Sequence, residues 1–176
     1  MAGPDYAVGV DLGGTNLKVA LVERRAGIVR QTSLESEAEH GPRRVLDRIA
    51  EGVARVVAGH EAEVLGVGVG APGVVSLDRT TVSHPPNLPG WETVRLPDEV
   101  GGRLRHVGID VGGLVVGEND ANVAGLGSAF YGAGRPFGSF VMVTLGTGVG
   151  GAILVEKRLF RGATGAAGEI DQKSVV

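Results

Sequence analysis

The stretch YAVGVDLGGTNLKVALVERRAGIVRQTSLE, residues 6–35, decides the fold. Apolar residues run through YAVGVDL and halt at a glycine pair, after which LKVALVERR (17–25) and GIVRQTSLE (27–35) alternate between apolar and polar side chains. A period of two marks strands, and turns this short join only neighbours, so three strands in an antiparallel meander are predicted. From Pro42 the period changes. Val45, Leu46, Ile49, Val53, Val56 and Val57 recur every three or four residues, the apolar stripe of an amphipathic helix reaching Ala58. AEVLGVGVGAPG (62–73) returns to a buried strand, and the proline-rich SHPPNLPGW (83–91) excludes regular structure. A weaker helix is expected over 97–107. GLVVGEND (113–120) reads as a strand that hands over to a helix at 119–131, and SFVMVTLGTGVGGAILVE (139–156) as two strands around a glycine-rich turn. A meander followed by strands alternating with helices predicts an α/β fold with a mixed sheet covered on both faces, not a uniformly parallel doubly wound domain.

Composition narrows the function classes. The chain has 176 residues, 43% hydrophobic and 21% charged, as in ordinary globular proteins. Its 31 glycines are more than twice the usual share of about 7%, and they cluster after apolar runs, where they permit tight turns or close approach of a ligand to the backbone. A net charge of −3 argues against nucleic acid or an anionic membrane as partner. The absence of cysteine excludes disulfides and thiolate metal sites. No apolar run approaches the ~20 residues of a membrane span, and no signal-peptide pattern is evident. A soluble, cytoplasmic protein is expected.

Three stretches could carry chemistry. In VDLGGTN (10–16) a strand ends in an acidic residue, two glycines and a threonine, so that backbone N–H groups and one hydroxyl face a common point suited to an anion. Asp11 would repel a bare phosphate, which suggests a magnesium ion between them; an ordinary hairpin with Asp and Gly as turn formers is the alternative. In LGTGVGG (145–151), Gly146, Gly148 and Gly151 satisfy G-x-G-x-x-G, but a dinucleotide site needs a helix next. AILVE suits a strand better, so a hairpin turn with Thr147 and free N–H groups is expected. In GEND (117–120), Asn119 or Asp120 could simply cap the following helix. The functional alternative makes Asp120 a general base facing a substrate hydroxyl, with Asn119 orienting that substrate. Two phosphate-type turns and one carboxylate at a strand end, with no His or Cys cluster, point to phosphoryl transfer.

Taken together, VDLGGTN (10–16), GAPG (70–73), NLPGW (87–91), ENDANVAGLG (118–127), VTLGTGVGGAI (143–153) and AGE (167–169) resemble the ROK family, especially its bacterial glucokinases, in the family's order up to Ile170. The resemblance implies an actin-like ATPase fold of two ribonuclease-H-like lobes, the first complete here and the second truncated. Residues 1–118 would form the first lobe, 119–170 the start of the second, and 171–176 a tail outside the family pattern. It implies ATP-dependent phosphorylation of a hexose, glucose to glucose 6-phosphate, with N-acylhexosamines or a non-catalytic sugar-sensing regulator as alternatives. Asp120 would be the catalytic base. Asn119 and Glu169 would bind sugar hydroxyls, with Gly73 and Asn87 shaping the pocket. Asp11, Gly13, Gly14 and Thr15 would form one phosphate turn and Gly146, Thr147 and Gly148 the other, with Asp11 on the magnesium side of ATP. Where the family continues with Gly-His, whose histidine meets sugar and a structural zinc, this chain has Asp171 and Gln172, and with no cysteine that zinc is not expected. A second half carrying the rest of the ATP site would be missing, so this chain by itself is expected to be inactive, and its open strands to self-associate or form a homo-oligomer.

Overall fold

The structure, a computed structural model, describes residues 6–61, 64–111, 114–145 and 148–170. Contacts divide the chain into two compact units, with the boundary between Glu118 and Asn119.

The first unit is built on the meander. β1 (Tyr6–Leu12), β2 (Asn16–Glu23) and β3 (Gly27–Glu35) pair antiparallel in sequence. β4 (Val64–Ala71) joins β1 in parallel and β8 (Val115–Asn119) flanks β4, giving the sheet order β3-β2-β1-β4-β8. The alternation has the anticipated consequence. Val8, Val10 and Leu12 on β1 and Leu17, Val19 and Leu21 on β2 are buried on one face. Helix α1 (Pro42–Val57) lays Val45, Leu46, Ile49, Val53, Val56 and Val57 on that face, each worth about 1.5–3 kcal/mol against exposure. Pro42 starts the helix at a position where its missing N–H costs nothing. At the other end Arg30 donates Nη1–H to Val56 O and Ala58 O, two carbonyls the helix leaves without partners.

Helix α2 (Leu96–His106) packs beside α1 through Leu96, Val100 and Leu104, with Asp98 and Glu99 in its first turn and Arg103, Arg105 and His106 in its last, the charge order its dipole favours. Arg103 spans the two helices, paired with Asp47 at 2.6 Å and with Glu99 at 2.6 Å. Among the described residues of this unit the expected cover on both faces is realised on one. On the opposite side Ala7, Gly9, Asp11 and Lys18 are exposed, because small and polar side chains there give a helix nothing to bury. A second sheet of β5 (Val74–Val75), β6 (Thr81–Ser83) and β7 (Thr93–Arg95) was not anticipated. Strands of two or three residues carry no measurable period.

In the second unit α3 (Asp120–Tyr131) lies on the hairpin of β9 (Phe140–Leu145) and β10 (Val149–Val155), extended by the short β11 (Arg158–Leu159). Its core is small: Ala129, Ala152 and Leu154, with Leu126, Phe140, Met142 and Leu159 around them. Lys157 makes up for some of that. Its Nζ donates to Ala129 O at 2.9 Å, Gly134 O at 3.0 Å and Arg135 O at 2.7 Å, closing the C-terminal end of α3 onto the β10–β11 turn. A hydrogen bond from a charged donor is worth about 1.5–3 kcal/mol. Lys157→Met, which keeps the stem and removes the donors, is therefore expected to destabilise this unit by roughly 1.5–3 kcal/mol. Faster hydrogen exchange at the Gly132 amide, which bonds to Ser128 O at the end of α3, is the check. Unchanged exchange would show the ammonium to be dispensable.

Candidate active site

Each unit contributes one group of candidate residues. In the first, Asp11 ends β1 on the exposed side, with Lys18 opposite on β2 and Gly70 on β4. The turn that follows closes when the Gly13 N–H donates to Asn16 O at 3.0 Å. That donor is therefore spent within the protein, whereas the amides of Gly14 and Thr15 meet no acceptor among the described residues. The loop 84–91 reaches the same turn from 70 residues away in sequence. A methyl group on Gly14 would stand 2.8 Å from Asn87 O and 2.9 Å from Asn87 Cβ, so only glycine allows the two backbones to lie together. Asn87 itself holds a left-handed φ of 64° and His84 one of 44°, strain that marks a loop fixed by its surroundings. Gly73 abuts the same loop, next to Pro85 and Pro86. Asp11, Gly14, Thr15, Asn87 and Gly73 thus collect around one end of β1 and β4, although no spacing in the sequence links them.

The second group forms where β8 passes into α3. Asn119 is the N-cap: its Oδ1 accepts the Asn122 N–H at 3.1 Å, while Nδ2 donates to Glu169 Oε1 at 3.3 Å. The capping role and the pairing with Glu169 are therefore compatible, one on each side-chain atom. Asp120 opens the helix and accepts the Ala121 N–H at 2.7 Å. Glu169 is brought over by a backbone crossing. A methyl group on Gly151 would stand 2.6 Å from Gly168 O, and one on Gly168 would run into Gly151 O. A methyl group on Gly150 would likewise stand 2.5 Å from Thr144 Oγ1 and 2.9 Å from Ala121 Cβ. The glycine richness of VGG in LGTGVGG thus has a packing cause. The third residue of the G-x-G-x-x-G pattern, Gly151, serves the Gly168 crossing and not a ligand, and β10 follows in place of a helix. Gly148 is exposed with open space around it, whereas Gly146 and Thr147 lie outside the described residues, as do Asp171 and Gln172.

Electrostatics ties the second group together. Partial burial, and then the nearby Asp120 carboxylate, raise Glu169 above the ordinary carboxylate range. Two carboxylates that repel each other, with an amide beside them, attract a ligand rich in hydroxyl donors. Among the described residues no three His, Cys, Asp or Glu side chains gather into a metal site, at Asp11 or elsewhere. Magnesium needs no such cage, since it is held by one or two carboxylates together with substrate phosphates. Among the described residues no helix is long and apolar enough to cross a membrane. Ser36 also belongs to the first group, its hydroxyl donating to Gly14 O at 2.7 Å; a single serine after a strand carries no signal by type or spacing.

The ROK family model matches residues 7–171. The glucokinase of Thermotoga maritima is 38% identical over 163 residues, which are 93% of this chain and 49% of that enzyme. The glucokinase of Halalkalibacterium halodurans is 33% identical over 174 residues, 97% of this chain and 50% of its own. The crystal structure of a ROK family glucokinase from Streptomyces griseus in complex with glucose and AMPPNP superposes with a TM-score of 0.83 at 35% identity, covering 97% of this chain and 51% of that one. The chain spans about half the length of the relatives it matches.

Proposed function

We propose, from the premise that the chain belongs to the ROK family and has the actin-like ATPase fold of its sugar kinases, that it carries the sugar site and part of the phosphate site of a hexose kinase, with glucose as acceptor and ATP as donor. The observation that carries the reading is the convergence of Asn119, Asp120 and Glu169 at the N-terminus of α3, an amide and two carboxylates built from segments 50 residues apart. Asn119 and Glu169 hold sugar hydroxyls. Asp120 accepts the proton of the 6-hydroxyl as its oxygen bonds to the terminal phosphorus of the donor and the bond from that phosphorus to its bridging oxygen breaks. In a loose transition state positioning matters more than base strength, so a carboxylate at a helix N-terminus is adequate. The Gly14 and Thr15 amides, with the Thr15 hydroxyl, would meet phosphate oxygens, and Asp11 would take the magnesium ion that neutralises them. Gly73 and Asn87 are proposed as further sugar-binding residues, and Gly146, Thr147 and Gly148 as a second phosphate turn. A cytoplasmic location is part of the same proposal, as expected for an enzyme that consumes ATP and makes a phosphorylated sugar.

The pH dependence of glucose binding tests this reading directly. Glu169 binds hydroxyl donors as a carboxylate, and its pKa is raised in the folded chain. Affinity for glucose is expected to fall as pH drops through a midpoint above that of an ordinary glutamate. The linkage to stability has the opposite sign. A raised carboxyl pKa favours the fold below the unfolded-state pKa, and that contribution is lost as pH rises through the folded value. Calorimetric titration with glucose across pH is the measurement, with Glu169→Gln expected to bind more weakly and without the pH step. An undiminished affinity in Glu169→Gln would remove this residue from the sugar site.

A further inference from the structure

The turn at residues 13–16 is held from behind by a residue that no motif marks. Ser36 follows β3 and is fully buried, at 0% exposure. Its hydroxyl donates to Gly14 O at 2.7 Å, and its backbone N–H donates to Thr15 O at 2.9 Å. A buried hydroxyl left without an acceptor is costly, so this pairing is a firm one. The Gly14 carbonyl and the Thr15 N–H belong to the same trans peptide, in which they point in opposite directions. Fixing the carbonyl on Ser36 therefore turns the Thr15 N–H away from Ser36, to a side where no described residue accepts it. Asn87 closes the flank at Gly14, leaving the peptide little room to swing. An amide N–H fixed in direction and left without a partner is a donor waiting for an anion.

We propose that Ser36 is a positioning residue that sets the peptide plane presenting the Thr15 N–H to a phosphate oxygen of the nucleotide. The proposal rests on the phosphoryl-transfer reading of this turn. It distinguishes the donors within the turn: the Gly13 amide is consumed by Asn16, whereas the Thr15 amide is aimed by a buried serine.

The test uses the 15N-labelled 176-residue chain and follows its amides by NMR during titration with magnesium tripolyphosphate, and separately with glucose. In the wild-type chain the Thr15 amide is expected to shift saturably with tripolyphosphate. Ser36→Ala is expected to weaken that binding about tenfold, the loss of one oriented charge-assisted donor. The response of Asn119 and Glu169 to glucose is expected to be unchanged, and Ser36→Thr, which restores a hydroxyl, to recover most of the tripolyphosphate affinity. A Thr15 amide that ignores tripolyphosphate in the wild-type chain overturns the proposal, whatever the variants do. So does tripolyphosphate binding in Ser36→Ala equal to wild type, or a parallel loss of both responses, which would mark Ser36 as structural only. A Thr15 response without any glucose response leaves the assignment of Ser36 standing and counts against the hexose site.

Discussion

Asp120→Asn is expected to lower the rate of glucose 6-phosphate formation from magnesium-ATP and glucose by about 10²–10⁴-fold, the range removed with a positioned general base. The substitution is close to isosteric. An asparagine at 120 still accepts the Ala121 N–H through its carbonyl oxygen, as Asp120 does at 2.7 Å, so the start of α3 is preserved. What it cannot do is take the proton of the attacking hydroxyl. The KM for glucose should therefore move little, because Asn119 and Glu169 remain in place, and the loss should fall on kcat. The measurement is a coupled assay of a chain extended to the length of its relatives, with the 176-residue chain run alongside. A rate within tenfold of wild type would remove Asp120 from the chemistry. The same rate loss accompanied by an equal rise in KM would make it a binding residue.

The second large effect concerns assembly. Among the described residues β9 is the outer strand of its sheet, and it shows solvent Val141, Val143 and Leu145 at 62%, 52% and 83% exposure. Val149 on β10, opposite Leu145, continues the same apolar face at 40%. An edge with free backbone groups and a β-branched, uncharged face is a template for another strand. The expected occupant is β9 of a second copy, pairing edge to edge with its own like. Sedimentation velocity should give an average mass that climbs with concentration. Val143→Lys, which places a charge in the centre of the strand, should return the chain to monomer. A monodisperse wild-type monomer at high concentration would exclude this edge as an interface.

Much of the candidate site was legible because it sits where elements meet. Asp11 at the end of β1 and Asn119–Asp120 at the passage from β8 to α3 follow from reading where strands stop. Glu169 could be proposed only from resemblance to a family. Its approach to Asn119 depends on the Gly151–Gly168 crossing, a contact between segments that share no local pattern. Sequence counts glycines without telling whether ligand or neighbouring backbone fills the space beside them, and at 150 and 151 the neighbour fills it.

By itself the sequence determined the order and type of the long elements. A period of two in residues 6–35 and of three to four in residues 42–57 sets which face each strand and helix must bury, and that choice is local. Only the tertiary structure decided which turns meet: Asn87 against Gly14, Ser36 behind Thr15, and Glu169 beside Asn119. The reason is that such meetings are fixed by strand register and by backbone approach over tens of residues, where a single absent Cβ or one buried hydroxyl sets the geometry and leaves no periodic trace in the chain.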